Sequence, residues 1–277
     1  MAQHTVIERT EFVDVTVDSG VAHVRLDRPK AANALHGPLW RELHDVVRAV
    51  DAEPSARVAV ISGNGRHFCA GIDVASLAEL LAGDDERCAG RARERLWRTI
   101  RELQEVFTAV ERCRVPVIAA VHGACVGAGL DLAVACDLRY ASADATFVLK
   151  EVDLGLAADV GVLQRLPRIV GEGVARELAY TCRPVDGREA AGLRLANGVY
   201  DTPDELAAGV AGVAASFAAK SPLALRGTKH AITYARDHSV ADGLEQIATW
   251  NAAMLPSADL DEAVAAFRER RAPRYAD

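Results

Sequence analysis

Three acidic side chains, Asp131, Glu151 and Asp159, lie in an apolar, glycine-rich stretch of the sequence between residues 121 and 161. Carboxylates are rarely buried without a partner or a function, because moving a charge out of water is costly. An apolar environment raises the pKa of a carboxyl group, so that the group can carry a proton near neutral pH. The three acids together therefore predict proton-transfer chemistry.

Two short segments of small residues, 67–73 (HFCAGID) and 123–129 (GACVGAG), each lead into a predicted helix. Small residues let a ligand approach the backbone closely, and amides at a helix N-terminus carry a partial positive charge. One amide from each segment would polarise a thioester carbonyl and stabilise the enolate formed beside it, by about 3–4 kcal/mol per donor in the transition state. Taken alone, glycine-rich turns are better explained by tight packing of a strand against a helix.

The elements that must position these residues alternate between strand and helix over the first 200 residues, which predicts an α/β core. Asp73 and the residues after Asp159 are predicted to open helices, and the pattern after Thr202 is almost entirely helical. A helical tail of about 75 residues has too small a core to be stable alone, so we expect it to pack on its own α/β core or on a neighbouring subunit. Predicted strands are 12–17, 21–26, 58–62, 117–121, 138–141 and 146–149, and predicted helices are 39–50, 91–110 and 127–135.

The composition and charge distribution disfavour nucleic-acid and membrane partners. Of the 277 residues 50% are hydrophobic, and the net charge of -7 comes from interspersed acids and bases, which disfavours nucleic acid as a partner. The exception is an arginine cluster near the end, Arg268, Arg270, Arg271 and Arg274. The uncharged run 115–130 is shorter than the roughly 20 residues that a membrane-spanning helix needs, so no membrane partner is predicted.

Cysteine usage and the N-terminal residues predict a location. The six cysteines include no CxxC pair, which favours buried thiols in a reducing compartment. The first residues lack the apolar segment of a signal peptide, so we expect a cytoplasmic protein. No His, Cys and Asp set has zinc-ligand spacing, so no metal site is predicted.

Several motifs resemble those of the enoyl-CoA hydratase/isomerase (crotonase) family. They are FCAGID, HGACVGAGLDLAVACDLRY and KEVDLGLAADVGVLQRLPRIVG, together with Arg28-Pro29, Asn33-Ala34-Leu35 and the ending FRERRAPRY. The resemblance covers nearly the whole chain. It implies a ClpP/crotonase-like spiral of ββα units over residues 1–200 and a helical oligomerisation region over residues 201–277. It further implies an acyl-CoA substrate, no cofactor, and a homotrimer or hexamer.

The resemblance also assigns site residues. The backbone N–H groups of Ile72 and Ala128 would form the oxyanion hole, and Ala128 stands where many members have glycine. The segments that would bind substrate contribute Ala70, Gly71, Ile72, Asp73, Val74 and Ala128, and Lys30 would meet the CoA phosphates unless it is simply a solvated surface charge. Asp131 and Glu151 occupy the positions of the paired glutamates of hydratases. Asp159 stands where hydratases usually have glycine, and the branch with aspartate there comprises the Δ3,5-Δ2,4-dienoyl-CoA isomerases.

The sequence thus predicts an isomerase that converts a 3,5-dienoyl-CoA to the 2,4-dienoyl-CoA in fatty-acid β-oxidation. We expect Asp159 to remove the C2 proton, Glu151 to deliver a proton to C6, and Asp131 to tune or orient the pair; the reverse assignment of base and acid to Glu151 and Asp159 stays open. Two alternatives stay open: an enoyl-CoA hydratase, and a non-catalytic binding protein of the same fold.

Overall fold

The computed structural model describes residues 5–76 and 88–276. Its strands are β1 (Thr5–Arg9), β2 (Val13–Asp18), β3 (Val21–Leu26), β4 (Val58–Gly63), β5 (Val117–Val121), β6 (Ala124–Val126), β7 (Leu138–Ser142), β8 (Thr146–Val148), β9 (Val185–Asp186) and β10 (Gly198–Tyr200). Its α-helices are α1 (Gly37–Ala52), α2 (Ala89–Arg112), α3 (Ala128–Ala135), α4 (Val162–Val170), α5 (Glu172–Thr181), α6 (Gly187–Gly192), α7 (Pro203–Ala218), α8 (Pro222–Ala235), α9 (Val240–Met254) and α10 (Ala258–Glu269). Short 3-10 helices occupy Pro29–Ala31 and Glu151–Leu154.

Two sheets organise the chain. The larger has the strand order β1-β2-β3-β4-β5-β7-β10, antiparallel from β1 to β3 and parallel from β3 onward. The smaller has the order β6-β8-β9. The parallel strands are buried runs such as β5, in which every residue is buried. Such runs form where helices cover both faces of a sheet, and the predicted α/β class is confirmed.

Two hydrophobic cores flank the larger sheet. The main core joins α1, α2 and α3 to one face of the sheet and contains the buried rings of Phe68, Phe107 and Phe147. A second core lies on the other face, where Leu206 and Val210 of α7 pack against β4 and β5. Helix α7 therefore belongs to the packed α/β body, although it follows the predicted boundary at residue 200. That boundary stays a prediction.

Helices α8 to α10 are less buried than the rest. Within them only Pro222, Gly227, Lys229 and Ala266 are buried, and α9 has no buried residue. Lys229 fixes α8 to the body, because its ammonium group donates to Asp137 Oδ2 at 2.7 Å and to the carbonyl oxygen of Val115 at 3.0 Å. The tail, predicted to pack on its own core or on a neighbouring subunit, contacts its own body through α7, through Lys229 and through the ion pair of Arg236 with Glu111.

The strands and helices predicted from periodicity are present, whereas β1 and several short elements were missed. Strands β6, β9 and β10 have two or three residues, too few for an alternation to be seen. Residues 74–76 are helical after Asp73, and the rest of that predicted helix lies outside the described residues. No single helix of the described ranges is long and apolar enough to cross a bilayer, while α7 and α8 pass that test only as a pair, bent by 105°.

Candidate active site

An apolar cavity of about 240 Å³ lies where the loop before residue 74, the start of α3 and the 3-10 helix at Glu151–Leu154 meet. Two of the three predicted acids, Glu151 and Asp159, line it, as do Ile72 and Ala128. The other lining residues are Trp40, Ala70, Gly71, Val74, Ile100, Leu103, Val126, Gly127, Lys150, Leu154, Leu156 and Val160. A cavity with apolar walls and a few convergent polar groups is the usual form of a small-molecule site.

The loop that carries Ile72 is held as a short parallel bridge to residue 35. The amide of Leu35 donates to Gly71 O at 2.7 Å, and the amide of Asp73 donates to Leu35 O at 2.9 Å. In a parallel bridge these two bonds use the flanking peptide groups, so the N–H of Ile72 itself points away from residue 35. That amide is available to a ligand in the cavity.

Glycine is required at position 71. Its φ of 95° lies in the left-handed region, and a Cβ atom there would lie 2.6 Å from Val126 O and 3.6 Å from the amide nitrogen of Ala128. The two loops therefore approach each other backbone to backbone, and this approach places the residues that carry the predicted oxyanion-hole donors side by side.

The second donor lies at the start of α3. Ala128 is the first residue of this helix, where amides have no intrahelical acceptor. The preceding residue, Gly127, has φ 51° and ψ -120° and donates to Val148 O at 2.9 Å. The methyl group of Ala128 is mostly buried and replaces no polar atom, because the donor is the backbone amide.

Glu151 is a buried acid beside this donor. Its side chain is close to Gly127, since a Cβ atom on that glycine would lie 3.3 Å from Glu151 Oε1. Its Oε2 atom is buried and has no hydrogen-bond partner among the described residues. Burial raises the pKa of Glu151, and the negative charge of Asp159 raises it further. Glu151 is thus not the surface residue that its neighbours Lys150 and Asp153 would suggest; those two pair with each other.

Asp159 lies at the opening of the cavity. It is an exposed residue, yet partial desolvation raises the pKa of its carboxyl group. Its backbone carbonyl accepts a hydrogen bond from Gln104 Nε2 at 2.6 Å. Asp159 also lines a second, polar cavity of about 480 Å³ with Glu111, Arg165 and Arg236, so it separates an apolar compartment from a polar one. Helix α4 begins after it with Gly161 as the N-cap, so Asp159 is not a capping residue.

Asp131 is brought near the other two acids but does not line the cavity. It is fully buried in the first turn of α3, where its Oδ1 accepts a hydrogen bond from the amide of Val162 at 2.6 Å. Its Oδ2 has no partner among the described residues. Burial, aided by the charge of Glu151, raises the pKa of Asp131 to about 8. Its contact with Val162 joins it to the backbone three residues after Asp159.

The structure divides the predicted substrate-binding residues. Ala70, Gly71, Ile72, Val74 and Ala128 line the apolar cavity. The carboxylate of Asp73 turns to Arg28 at 2.6 Å, and Lys30 is exposed on the 3-10 helix at Pro29–Ala31; neither is among the residues that line the cavity. The family resemblance also implies that the segment 75–92 borders the acyl tunnel, and most of that segment lies outside the described residues.

Sequence reasoning missed the apolar wall. Trp40, Ile100 and Leu103 come from α1 and α2, and Trp40 packs on Phe107 with ring centroids 5.0 Å apart. Their helical spacing is the only sequence signal, and it predicts burial rather than contact with a ligand. Among the described residues no group of three or more His, Cys, Asp or Glu side chains could hold a metal ion.

The sequence profile of the enoyl-CoA hydratase/isomerase family matches residues 16–277. The Δ3,5-Δ2,4-dienoyl-CoA isomerase of Arabidopsis thaliana, named as peroxisomal, is 46% identical over 96% of each chain. The mitochondrial protein of the same name from Homo sapiens is 43% identical over 91% of this chain and 77% of its own. These names contradict the predicted cytoplasmic location, which is wrong: the absence of a recognisable signal peptide does not identify a compartment.

Solved structures have the same fold. The enoyl-CoA hydratase of Bacillus anthracis superposes with a TM-score of 0.87 at 30% identity, covering 96% of this chain and 99% of that protein. The crotonase-type architecture predicted from the motifs is therefore confirmed.

Proposed function

The chain belongs to the enoyl-CoA hydratase/isomerase family, and we propose that within it the protein is a Δ3,5-Δ2,4-dienoyl-CoA isomerase of fatty-acid oxidation. The observation that supports this proposal best is that Glu151 and Asp159 line one apolar cavity together with Ile72 and Ala128. Relatives named as such isomerases match almost the full length of the chain and support the same assignment.

The reaction needs two proton carriers. Conversion of a 3,5-diene to a 2,4-diene moves a proton from C2 to C6, which lie roughly 5 Å apart in an extended chain, whereas a carrier must come within about 3 Å of its target. One carboxylate cannot serve both carbons. Glu151 begins the 3-10 helix at Glu151–Leu154 and Asp159 lies in the loop that follows it, so two separate carboxyl groups line the cavity and can serve as the two carriers.

The assigned roles follow from the surroundings of each acid. Asp159 removes the proton from C2, and the electrons spread through a dienolate whose thioester oxygen accepts hydrogen bonds from the amides of Ile72 and Ala128. Glu151 donates a proton to C6. Burial favours the neutral form of Glu151 by raising its pKa, as a proton donor requires. The apolar walls exclude water from the dienolate.

Hydration of a 2-enoyl-CoA is the weaker alternative. A hydratase gathers two acids around one water molecule, and the positions that correspond to its pair are Asp131 and Glu151. Asp131 is fully buried and its Oδ1 is engaged by the amide of Val162, so it does not reach the cavity. Its side chain is also shorter than the glutamate that hydratases carry at this position.

Absorbance spectroscopy separates the candidate functions. We expect conjugated-dienoyl absorbance to appear with a 3,5-dienoyl-CoA, whereas loss of enoyl absorbance with a 2-enoyl-CoA would indicate a hydratase and no change with either would indicate a binding protein. Replacing Asp159→Asn or Glu151→Gln should lower kcat for the diene by about 100- to 10,000-fold, the usual loss for a general acid or base. Matched controls are Asp204→Asn and Glu172→Gln, exposed acids in the first turns of α7 and α5. Near-normal turnover in either cavity variant refutes the role given to that residue.

We further propose that the protein forms the homotrimer or hexamer implied by its family, with α8 to α10 in the interface. Exposed apolar side chains on these helices support this, among them Ile232, Val240, Leu244 and Phe267, with exposed fractions of 69%, 80%, 64% and 86%. Large apolar side chains left this exposed are expected at an interaction site when they lie together in one patch. Sedimentation equilibrium tests it, since a monomer at micromolar concentration contradicts the proposal.

A further inference from the structure

We propose that Arg28 is a positioning residue for the oxyanion hole: it fixes the loop that presents the Ile72 amide, and it does not bind the CoA phosphates. The inference concerns a thioester site and rests on the proposed function only in the choice of substrate.

The guanidinium group of Arg28 is engaged inside the protein. Its Nη1 atom donates to Asp73 Oδ2 at 2.6 Å and to Ala34 O at 3.0 Å. The Arg28 and Asp73 side chains are only 25% and 18% exposed, so water screens the pair weakly. Asp73 immediately follows Ile72, and its other oxygen, Oδ1, accepts from the amide of Ala75 at 3.0 Å. The ion pair thus acts one residue from the predicted donor.

A buried asparagine, Asn33, provides a second connection between the Arg28 segment and the Ile72 loop. Asn33 is inaccessible to solvent, and its Oδ1 accepts from the amide of Arg28 at 2.9 Å. Its Nδ2 donates to Asn64 O at 3.0 Å and to His67 O at 2.8 Å. The Asn33 side chain therefore connects the segment of Arg28 to the turn that precedes the Ile72 loop. The backbone φ of Asn33 is 55°, a value that asparagine tolerates better than most residues.

Between these two connections, residues 32–35 run beside residues 69–73. The amide of Ala70 donates to Ala32 O at 2.9 Å, and the two bonds of Leu35 to Gly71 and Asp73 continue the pairing. Past Asp73 the chain becomes exposed, with Val74 at 76%. The Arg28–Asp73 pair therefore reinforces this pairing at its exposed end, where the single backbone bond from Asp73 to Leu35 is the last before the chain turns outward.

The two possible roles of Arg28 differ in kinetics. A phosphate ligand stabilises the bound substrate and the transition state equally, so its loss raises KM and leaves kcat unchanged. A residue that orients an oxyanion donor acts chiefly in the transition state, so its loss lowers kcat. Both observed Nη1 contacts are internal, and Asp73 neutralises the charge that a phosphate would need.

The test compares Arg28→Met with Arg25→Met, which removes an exposed arginine whose nearest carboxylate contact, to Asp14, is 3.8 Å long. For Arg28→Met we expect kcat on a 3,5-dienoyl-CoA to fall about 10- to 100-fold, less than the loss of a whole oxyanion donor, with KM changed less than threefold. Arg28→Lys should recover part of kcat, because an ammonium group can still pair with Asp73. Arg25→Met should match the wild type.

The absorbance of a bound dienoyl thioester reports on the oxyanion hole independently of turnover. Bound 2,4-octadienoyl-CoA should absorb at longer wavelength than the free thioester, because donors at the carbonyl oxygen polarise the conjugated system. We expect this red shift at saturation to decrease in Arg28→Met and in Asp73→Asn, and the double variant to be no worse than either single variant, because the pair acts as one unit.

Three outcomes overturn the inference: a raised KM with normal kcat, an unchanged red shift in Arg28→Met, or additive losses in the double variant. If circular dichroism shows Arg28→Met to be unfolded, Arg28→Lys and Asp73→Asn are judged by the same criteria. Failure of the proposed function is distinguishable, since a wild-type protein that shows the red shift but does not isomerise the diene refutes the isomerase and leaves the role of Arg28 intact.

Discussion

The α/β body, residues 5–76 and 88–218, and the helical region, residues 222–269, use apolar side chains in opposite ways. The body buries them and also encloses polar groups, including Asn33, Asp131, Arg139 and Glu151. The helical region buries little, and Lys229 is its one buried charged residue. Apolar residues in both regions have helical spacing, but in the helical region the same chain covers few of them.

This difference separates two tasks. In the body, enclosure in an apolar environment raises the pKa of Asp131 and Glu151, so chemistry and stability depend on the same packing. In the helical region exposed apolar area stabilises nothing until another surface covers it. Substitutions in the body should therefore change unfolding and catalysis, and substitutions in the helical region should change association.

The largest effect should come from Asp131→Asn, as a function of pH. The pKa of Asp131 is about 8 in the folded protein against 3.8 for an ordinary aspartate, so between these values the unfolded chain binds fewer protons. The free energy of unfolding of the wild type should then fall as pH rises, by about 1.4 kcal/mol per unit for this group. The Asp131→Asn variant lacks this titration. Its free energy of unfolding, relative to that of the wild type, should therefore rise by several kcal/mol, about 5 at most, from pH 4 to pH 8.

Urea denaturation of both proteins across that pH range measures the difference. Asp204→Asn, an exposed acid at the start of α7, is the control and should follow the wild type at every pH. A constant offset between Asp131→Asn and the wild type would mean that Asp131 is ionised in the folded state.

Removing a large buried ring from the body should lower the free energy of unfolding by nearly as much. Phe107 is fully buried in α2 and packs against Trp40, so Phe107→Ala should lower the free energy of unfolding by about 3–5 kcal/mol. Chemical denaturation at neutral pH is sufficient to measure this. A loss under about 1 kcal/mol would mean that the core collapses around the missing ring, and it would weaken the contrast between the two regions.

The junction between the regions should show an intermediate effect. Lys229→Met breaks the ion pair with Asp137 and frees Val115 O, and the remaining carboxylate stays only partly solvated. We expect a loss of about 2–3 kcal/mol, below that of a fully buried pair because the Asp137 side chain is 31% exposed. Arg168→Met, which removes an exposed pair with Asp237, is the control and should cost under about 1 kcal/mol.

The smallest effect on stability should come from Phe267→Ala in α10. This ring is 86% exposed, so its removal should change the free energy of unfolding of the monomer by under about 0.5 kcal/mol. The same variant should shift sedimentation toward smaller species. A large loss of stability with unchanged mass would show that the ring packs within its own chain.

The sequence predicted most elements of the body because their periodicity matches their burial. In α1, Leu39, Leu43, Val46, Val47 and Val50 share the buried face as their spacing implies. Helix α3 gave no such guidance, because all of its residues are buried and no pattern distinguishes the direction of Asp131 from that of its neighbours. The bond that orients the buried carboxyl group of Asp131 comes from Val162, 31 residues away.

Long-range pairs are the other part that sequence could not supply. Arg28 and Asp73 are 45 positions apart, and in the sequence each of them alone is indistinguishable from an ordinary surface charge. The difference between α7 and α9 is similar: both are rich in alanine, yet only α7 meets the sheet. Which face of an alanine-rich helix becomes buried is decided by the partner it meets, and the helix's own sequence does not identify that partner.

The position of Asp159 between two compartments has an isotopic consequence. A carboxyl group that is exposed to water, like Asp159, exchanges the hydrogen it has removed with the medium. In heavy water, each reversal of turnover should therefore return deuterium to C2. Glu151 gives up its proton in every forward turnover, so the label at C6 should report how quickly this enclosed acid is replenished, and the two ends of one molecule would record how open each acid is to solvent.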